Sequence, residues 1–174
     1  MICFGLGLVF MKIREIEIKD ADAFSKMQYE LDKETKFMMF EPGERKKDLK
    51  RMELWIQRIK EKSDLLLIAE NNGEIIGFIM AQRGMNHRIQ HRAYIVVGVR
   101  TKFQGRGIGT KFFEKLNQWA LKQQLRRLEL TVMITNVGAK KLYEKSGFVM
   151  EGIKKDSMYV EGEYIDEYYM AKIF

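Results

Sequence analysis

The sequence has few of the residues that would indicate a disulfide-bonded or multidomain protein. Cysteine occurs once, at Cys3, which excludes a framework of internal disulfides and is typical of a reducing compartment, so we expect a cytoplasmic protein. Proline also occurs once, at Pro42, and no segment is rich in glycine, serine or proline. The 174 residues, 46% of them hydrophobic, are therefore predicted to bury one core without a linker.

The sequence also lacks a segment that is typical of membrane insertion or export. Residues 1–10 are apolar, but they are fewer than the ~20 residues that a membrane-spanning helix requires. They also lack the basic beginning of a signal peptide. A segment of loose alternation begins at Met11. We therefore expect residues 1–10 to be an apolar N-terminal extension, residues 11–174 to form a single domain, and no membrane to be a partner.

The charge balance does not indicate a nucleic acid as a partner. Lys and Arg number 31 against 24 Asp and Glu, a formal net charge of +7, and such an excess occurs in proteins that bind polyanions. The basic residues are mixed with acidic ones on predicted helix faces such as residues 44–62. Aromatic residues are not interleaved with them in a basic groove pattern. We therefore expect a solvated surface.

A glycine-rich segment follows an apolar strand and leads into a helix. Residues 104–110 read Gln-Gly-Arg-Gly-Ile-Gly-Thr, and the apolar residues that follow recur at the spacing of a helix that begins inside the loop. Glycines let a ligand approach the backbone, and the free amides and positive dipole end of a helix N-terminus attract an anion. The segment therefore predicts a diphosphate site. Basic residues nearby add positive charge: Arg100, Lys102, Arg106 and Lys111.

Two common phosphate-binding motifs do not fit this loop. A P-loop requires Gly-x-x-x-x-Gly-Lys followed by Ser or Thr, but the residue five positions after Gly105 is Thr110. A Rossmann fingerprint that began at Gly105 would require Gly or Ala at position 110. Residues 104–109 instead resemble the Gln/Arg-x-x-Gly-x-Gly/Ala signature of the GNAT superfamily of N-acetyltransferases. In that superfamily the segment holds the pyrophosphate of acetyl-CoA.

A second segment resembles the same superfamily. Residues 136–148 match the pattern Asn-x-x-Ala-x-x-Leu-Tyr-x-x-x-Gly-Phe without an insertion. Asn136 is a suitable N-cap, and Gly147 suits the residue that ends a helix. The two segments stand in the family's order. The resemblance runs from about Lys12 to the end, only these two segments are specific to the family, and it implies an acetyltransferase domain over residues 11–174.

The resemblance implies a set of residues around acetyl-CoA. A strand that separates from its neighbour offers backbone groups to the peptide-like pantetheine, and one of its N–H groups is suited to stabilise the oxyanion. The implied cofactor-binding residues are Val97, Val99, Gln104, Gly105, Arg106, Gly107, Ile108, Gly109, Thr110 and Asn136. Tyr143 matches the family tyrosine that protonates the departing thiolate. The alternatives are that Tyr143 only packs and that Asn136 only caps its helix.

The residue that takes the acceptor's proton is not identified by the sequence. The candidates are Glu41, Glu70, His91, Asp166 and Glu167, and deprotonation through water without a single base is an alternative. We assign Glu41 to the substrate side because it lies in a Phe-Glu-Pro-Gly break between two predicted helices, where proline stiffens the chain. We expect no metal.

The predicted reaction is direct transfer of acetyl from acetyl-CoA to a primary amine of a small molecule or peptide. No Cys or Ser is paired with a nearby His in a way that supports a covalent acyl-enzyme. Residues 160–170 resemble, more weakly, the branch with ribosomal-protein alanine and spermidine acetyltransferases. A non-catalytic regulator that binds acyl-CoA is the alternative, and Tyr143 favours the enzyme. The sequence leaves open whether the protein is a monomer or a homodimer.

Hydrophobic periodicity predicts strands and helices in the order βααβββαβαββ. The resemblance implies that they form an α/β fold with a mixed, mainly antiparallel central sheet flanked by helices. Asp20 is predicted to cap the first helix, and Asn71-Asn72-Gly73 and Glu161-Gly162 predict hairpin turns. Leu49 is assigned to the buried stripe of the second helix. The predicted strands cover residues 12–19, 65–69, 75–81, 94–99, 127–132, 149–158 and 164–173.

Overall fold

A computed structural model describes residues 11–174, and the extension predicted over residues 1–10 lies outside the described residues. The described chain forms one sheet of seven strands and four helices in the predicted order βααβββαβαββ, so the predicted fold class is confirmed. The strands are β1 (Met11–Glu15), β2 (Leu65–Asn71), β3 (Glu74–Arg83), β4 (Arg92–Val99), β5 (Arg127–Met133), β6 (Val149–Val160) and β7 (Glu163–Ile173). The helices are α1 (Ala21–Glu34), α2 (Leu49–Glu61), α3 (Ile108–Lys122) and α4 (Val137–Lys145).

The sheet is antiparallel except at one place. Its strand order is β1-β2-β3-β4-β5-β7-β6, and β4 and β5 form the parallel pair. Two of its hairpins turn where the sequence predicts them, with positive φ at Asn72 and Gly73 and again at Glu161 and Gly162. Two successive residues of positive φ are typical of the tight turns that match the twist of antiparallel strands.

Helices cover the sheet on both faces and divide the core into two layers. On one face α3 buries Phe112, Phe113 and Leu116 against the central strands. On the other face α1 and α2 bury Phe24 and Ile56 with residues of β2 and β3. Full burial of one such side chain stabilises the fold by about 1.5–3 kcal/mol. None of the helices described over residues 11–174 is long and apolar enough to cross a bilayer.

The structure differs from the sequence expectation at the first strand and the second helix. The first strand was predicted to reach Lys19, but β1 ends at Glu15 because the Asp20 carboxylate accepts a hydrogen bond from the Glu17 backbone N–H (2.8 Å) and turns the chain. Asp20 does occupy the N-cap of α1, but its side chain makes no capping bond to that helix. Leu49 is half exposed, because it is the first residue of α2 and lies beyond the buried stripe.

The parallel pair of strands opens a cleft in the middle of the sheet. Pairing between β4 and β5 is confined to residues 92–94 of β4 and residues 127–129 of β5. Beyond these residues β4 stays paired with β3 up to Val99, and β5 stays paired with β7 up to Met133. The two strands therefore diverge toward their C-terminal ends, where the loop before α3 and the N-terminus of α4 also lie.

Candidate active site

A cleft of about 810 Å³ occupies the opening between β4 and β5. Its walls come from the segment after α1, from β4, from the glycine-rich loop, from β5 and from α4. The cleft brings together most of the residues that the sequence assigned to the cofactor and to catalysis. These lining residues are Val97, Val99, Gln104, Gly105, Gly107, Ile108, Gly109, Thr110, Asn136 and Tyr143.

The backbone of β4 offers hydrogen-bonding groups to this cleft. The Arg100 N–H donates to the Ile76 carbonyl of β3 (2.9 Å). Because backbone groups alternate in direction along a strand, those of Val97 and Val99 point away from β3, toward the opening. The Val99 carbonyl accepts a hydrogen bond from the Gln104 side-chain amide (3.0 Å), which ties the loop to the end of β4. The Val97 N–H and C=O therefore face the side from which β5 has separated.

The glycine-rich loop presents the N-terminus of α3 to the cleft. Gly105 and Gly107 have φ of 73° and 78°, and a Cβ at either position would have no atom within 4 Å. Glycine is therefore required there by backbone conformation. The first helical hydrogen bond runs from Lys111 N–H to the Gly107 carbonyl, so the N–H groups of residues 108–110 have no partner within the helix. These amides and the helix dipole form a site for an anion.

The third glycine of the loop is needed for packing. A Cβ on Gly109 would lie 2.6 Å from Cδ2 of Leu142 in α4, too close for an undisturbed contact. The sequence interpretation assigned all three loop glycines to ligand approach and loop conformation. The structure shows that Gly109 also lets α3 begin directly beside α4.

The helix α4 fixes Asn136 and Tyr143 at the cleft wall. The Asn136 side-chain oxygen accepts a hydrogen bond from the Ala139 N–H (3.2 Å), so its predicted role as N-cap is confirmed. The Tyr143 side chain is buried, and its ring meets Phe113 edge to face with 5.6 Å between centroids. Burial raises the pKa of Tyr143 above its ordinary value, and the nearby Tyr94 phenol raises it further. The phenol is therefore protonated at neutral pH.

Comparisons with known proteins agree with this arrangement. The sequence profile of the acetyltransferase (GNAT) family matches residues 26–148. The chain belongs to the GNAT acetyltransferase family. It is 30% identical over 125 residues to the L-amino acid N-acetyltransferase AaaT of Escherichia coli, which covers 69% of this chain and 75% of that protein.

Solved structures of GNAT acetyltransferases share the fold. An acetyltransferase of the GNAT family from Streptococcus pneumoniae superposes with a TM-score of 0.90 at 29% identity, over 94% of this chain and 99% of that chain. A GNAT phosphinothricin acetyltransferase from Sinorhizobium meliloti, solved with acetyl-CoA, has a TM-score of 0.82 at 16% identity, over 94% of this chain and 88% of that one. The protein is therefore an acetyltransferase with the GNAT fold.

The basic residues expected around the acetyltransferase loop are partly engaged elsewhere. Arg100 is largely buried and pairs with Glu34 of α1 (2.6 Å) and Glu74 of β3 (3.3 Å). These carboxylates raise the pKa of the Arg100 guanidinium, with the Glu34 hydrogen bond as the main cause. Arg100 therefore fastens α1 to the end of β4 and does not supply free charge to an anion. Arg106 stacks over the Phe103 ring, 5.2 Å from its centroid, and is not among the residues that line the cleft.

Glu41 does not reach the cleft, contrary to its assignment to the substrate side. It is exposed, and its N–H bonds to the Glu44 carboxylate (2.8 Å) while its carbonyl accepts from the Glu44 N–H (3.2 Å). These bonds close a local turn outside the cleft. The residues that enter the cleft from the same segment are Phe37, Met38 and Met39.

Of the other four candidate bases, the structure brings one into the cleft. Glu70 pairs with Arg14 of β1 (2.9 Å), and His91 precedes β4 at the end opposite to the loop. Asp166 is engaged by Lys155 (2.7 Å). Glu167 lines the cleft and is 9% exposed. The sequence could name Glu167 as a candidate, but the sheet pairing was needed to separate it from the rest.

Proposed function

We propose that the protein transfers the acetyl group of acetyl-CoA directly to a primary amine of a small molecule or a peptide. The observation that supports this proposal most strongly is that three features line one cleft: the backbone of β4 that faces away from β3, the N-terminus of α3, and Tyr143. Acetyl-CoA supplies a thioester whose carbonyl carbon accepts the amine nitrogen and whose thiolate departs. The AaaT relative, named as an L-amino acid N-acetyltransferase, and the neighbour solved with acetyl-CoA support this assignment.

In this proposal, backbone groups of the cleft bind the parts of acetyl-CoA and stabilise the oxyanion. The amides of residues 108–110 suit the diphosphate, and the Gly105 and Gly107 positions leave room for it. The Val97 backbone suits the amide groups of pantetheine, as an added strand would pair with it. A β4 N–H at the opening is fixed before reaction and is suited to the oxyanion that develops on the carbonyl. Asn136 contributes the cap that orients α4.

Tyr143 is the proton donor to the departing thiolate in this proposal. Its phenol lines the cleft, and its raised pKa keeps it protonated when the thiolate forms. Among the described residues 11–174, those that line the cleft include no Cys, Ser or His. This composition favours direct attack by the amine over a covalent acyl-enzyme.

Titration calorimetry with acetyl-CoA tests the donor site. We expect Gly107→Glu to weaken acetyl-CoA binding by at least about tenfold, because a carboxylate would enter the site of the diphosphate. Gly73→Glu is the matched control, because Gly73 also has positive φ (82°) and an open Cβ position but lies in the β2–β3 hairpin. Binding that is equally weakened by both variants, or by neither, would contradict the assignment.

Free-thiol release with mass spectrometry of the products tests the reaction. We expect acetylation on nitrogen of at least one member of a panel of amines and peptides. A protein that binds acetyl-CoA but leaves every amine unmodified would favour the regulator that binds acyl-CoA without turnover.

A further inference from the structure

Glu167 lies on the face of the sheet that is opposite to α3. Its partner across β5 is Met133, and residues that pair across strands share a face. The adjacent cross-strand pair, Val132 and Tyr168, packs with the α3 layer of the core. Because side chains alternate along a strand, Met133 and Glu167 project away from α3. The cleft therefore reaches Glu167 from the side opposite to the helix that offers its N-terminus to the donor.

The charged side chains that line the cleft are acidic. Among the described residues 11–174, those that line it include two carboxylates, Glu34 and Glu167, and no Lys, Arg or His. Glu34 is committed to Arg100 and to the Thr101 N–H (2.9 Å). Glu167 accepts a hydrogen bond from the Ser157 hydroxyl, and its nearest cation is Lys154 Nζ at 3.7 Å, on a side chain that is 60% exposed. A buried carboxylate with so weak a partner attracts a cation.

A bulge in β6 brings Ser157 to Glu167. The pairing of β6 with β7 shifts register between Lys154 and Met158, and Asp156 within the shift has φ of 48°. The Asp166 carboxylate holds this bulge by accepting from the Asp156 N–H (3.0 Å). Bulges re-aim side chains beside functional sites. Here the bulge turns the Ser157 hydroxyl onto Glu167, which fixes the direction of the carboxylate.

Apolar side chains line the cleft on the face of the sheet that carries Glu167. Met133 and Met158 line the cleft on the sheet side, and Phe37, Met38 and Met39 line it from the segment after α1. We call the space bounded by these five residues and Glu167 the acceptor pocket. It offers one carboxylate and apolar walls, and no lining cation that could hold a carboxylate of the acceptor.

We propose that Glu167 binds the ammonium of the acceptor and takes one of its protons, and that the acceptor is a primary amine next to an apolar group without a neighbouring carboxylate. This proposal rests on the proposed function. The proton that Glu167 takes passes to solvent, and the nitrogen lone pair then forms the bond to the thioester carbon. The C–S bond breaks with its electron pair on sulfur. Tyr143 gives sulfur a proton, and the second proton lost by nitrogen restores the phenol.

Steady-state kinetics of Glu167→Gln test the role of the residue, with Glu163→Gln as a control on an exposed position of the same strand. We expect Glu167→Gln to raise KM for the amine and to lower kcat, each by at least about tenfold, with acetyl-CoA affinity unchanged. The rate of the Glu167→Gln variant should follow the fraction of the amine that is unprotonated. It should therefore keep rising with pH up to the pKa of the amine. Ser157→Ala should act in the same direction but less strongly. Wild-type kinetics in Glu167→Gln would overturn the proposal.

Three matched acceptors test the substrate class: phenethylamine, phenylalanine amide and phenylalanine. We expect the first two to exceed the free amino acid in kcat/KM by at least about tenfold, since only the third brings a carboxylate next to the amine. Equal or better use of phenylalanine would overturn the substrate class. A wild-type enzyme that binds acetyl-CoA but acetylates no amine would reject the proposed function as well. If the wild-type enzyme acetylates an amine and the kinetics of Glu167→Gln are the same as those of the wild type, this inference is rejected and the proposed function stands.

Discussion

The two ends of the cleft are built in different ways. The end that we propose for acetyl-CoA offers backbone groups of two short continuous segments, residues 97–110 and the start of α4. The acceptor pocket uses side chains from the segment after α1, from β5, from the β6 bulge and from β7. A site made of backbone geometry tolerates change in neighbouring side chains, whereas a site made of side chains changes its ligand with one substitution. The comparison suggests why an acetyltransferase fold can keep its donor and vary its acceptor.

The largest effect on either end of the cleft is expected at Tyr143, the proposed proton donor. Tyr143→Phe should lower kcat by about 100-fold, because a general acid acts in the transition state. The acetyl-CoA dissociation constant should stay the same, because the ring still packs on Phe113. Tyr159→Phe, which removes a phenol that is 63% exposed, is the control. An unchanged kcat in stopped thiol-release assays would leave Tyr143 with a packing role.

A smaller effect concerns the packing beneath the donor end. Gly109→Ala should lower the free energy of unfolding by about 1 kcal/mol, because the new methyl meets Leu142 and overpacking costs more than the helix gains from alanine. In a Leu142→Ala background, Gly109→Ala should not lower the free energy of unfolding. Gly138→Ala in α4 is the control, since its Cβ would have no atom within 4 Å. Denaturant unfolding measures all four variants, and an equal cost in both backgrounds would contradict the contact.

The smallest effect concerns the pH dependence of kcat, which we expect not to fall at high pH. A tyrosine of ordinary pKa would lose its proton near pH ~10 and pull the rate down. Burial raises the pKa of Tyr143, so its phenol stays protonated through that range. We therefore expect the kcat of the wild-type enzyme not to fall as the pH rises to about 10. A decline below that pH that disappears in Tyr143→Phe would contradict the effect of burial.

The sequence interpretation failed where the position and the partners of a side chain depend on the folded chain. Arg100 was assigned to the charge around the loop, but its partner Glu34 stands 66 residues earlier and only the fold brings them together. Glu41 was assigned to the substrate side from a stiff local break, but its turn closes on Glu44 outside the cleft. Glu167 was one of five candidate bases, and its distinction comes from pairing with Met133 and from a bulge ten residues away.

The sequence by itself determined the order of the elements and the glycine-rich loop at the start of α3, because their signals are local. Glycines 105 and 107 indicate a left-handed backbone, Asn136 indicates the start of a helix, and the spacing of apolar residues indicates which face of α3 is buried. Only the tertiary structure decided the rest: where β4 and β5 separate, that Glu34 is paired with Arg100, and that Glu167 lines the cleft. Those properties depend on register and on contacts between distant segments, and no short stretch of sequence specifies them.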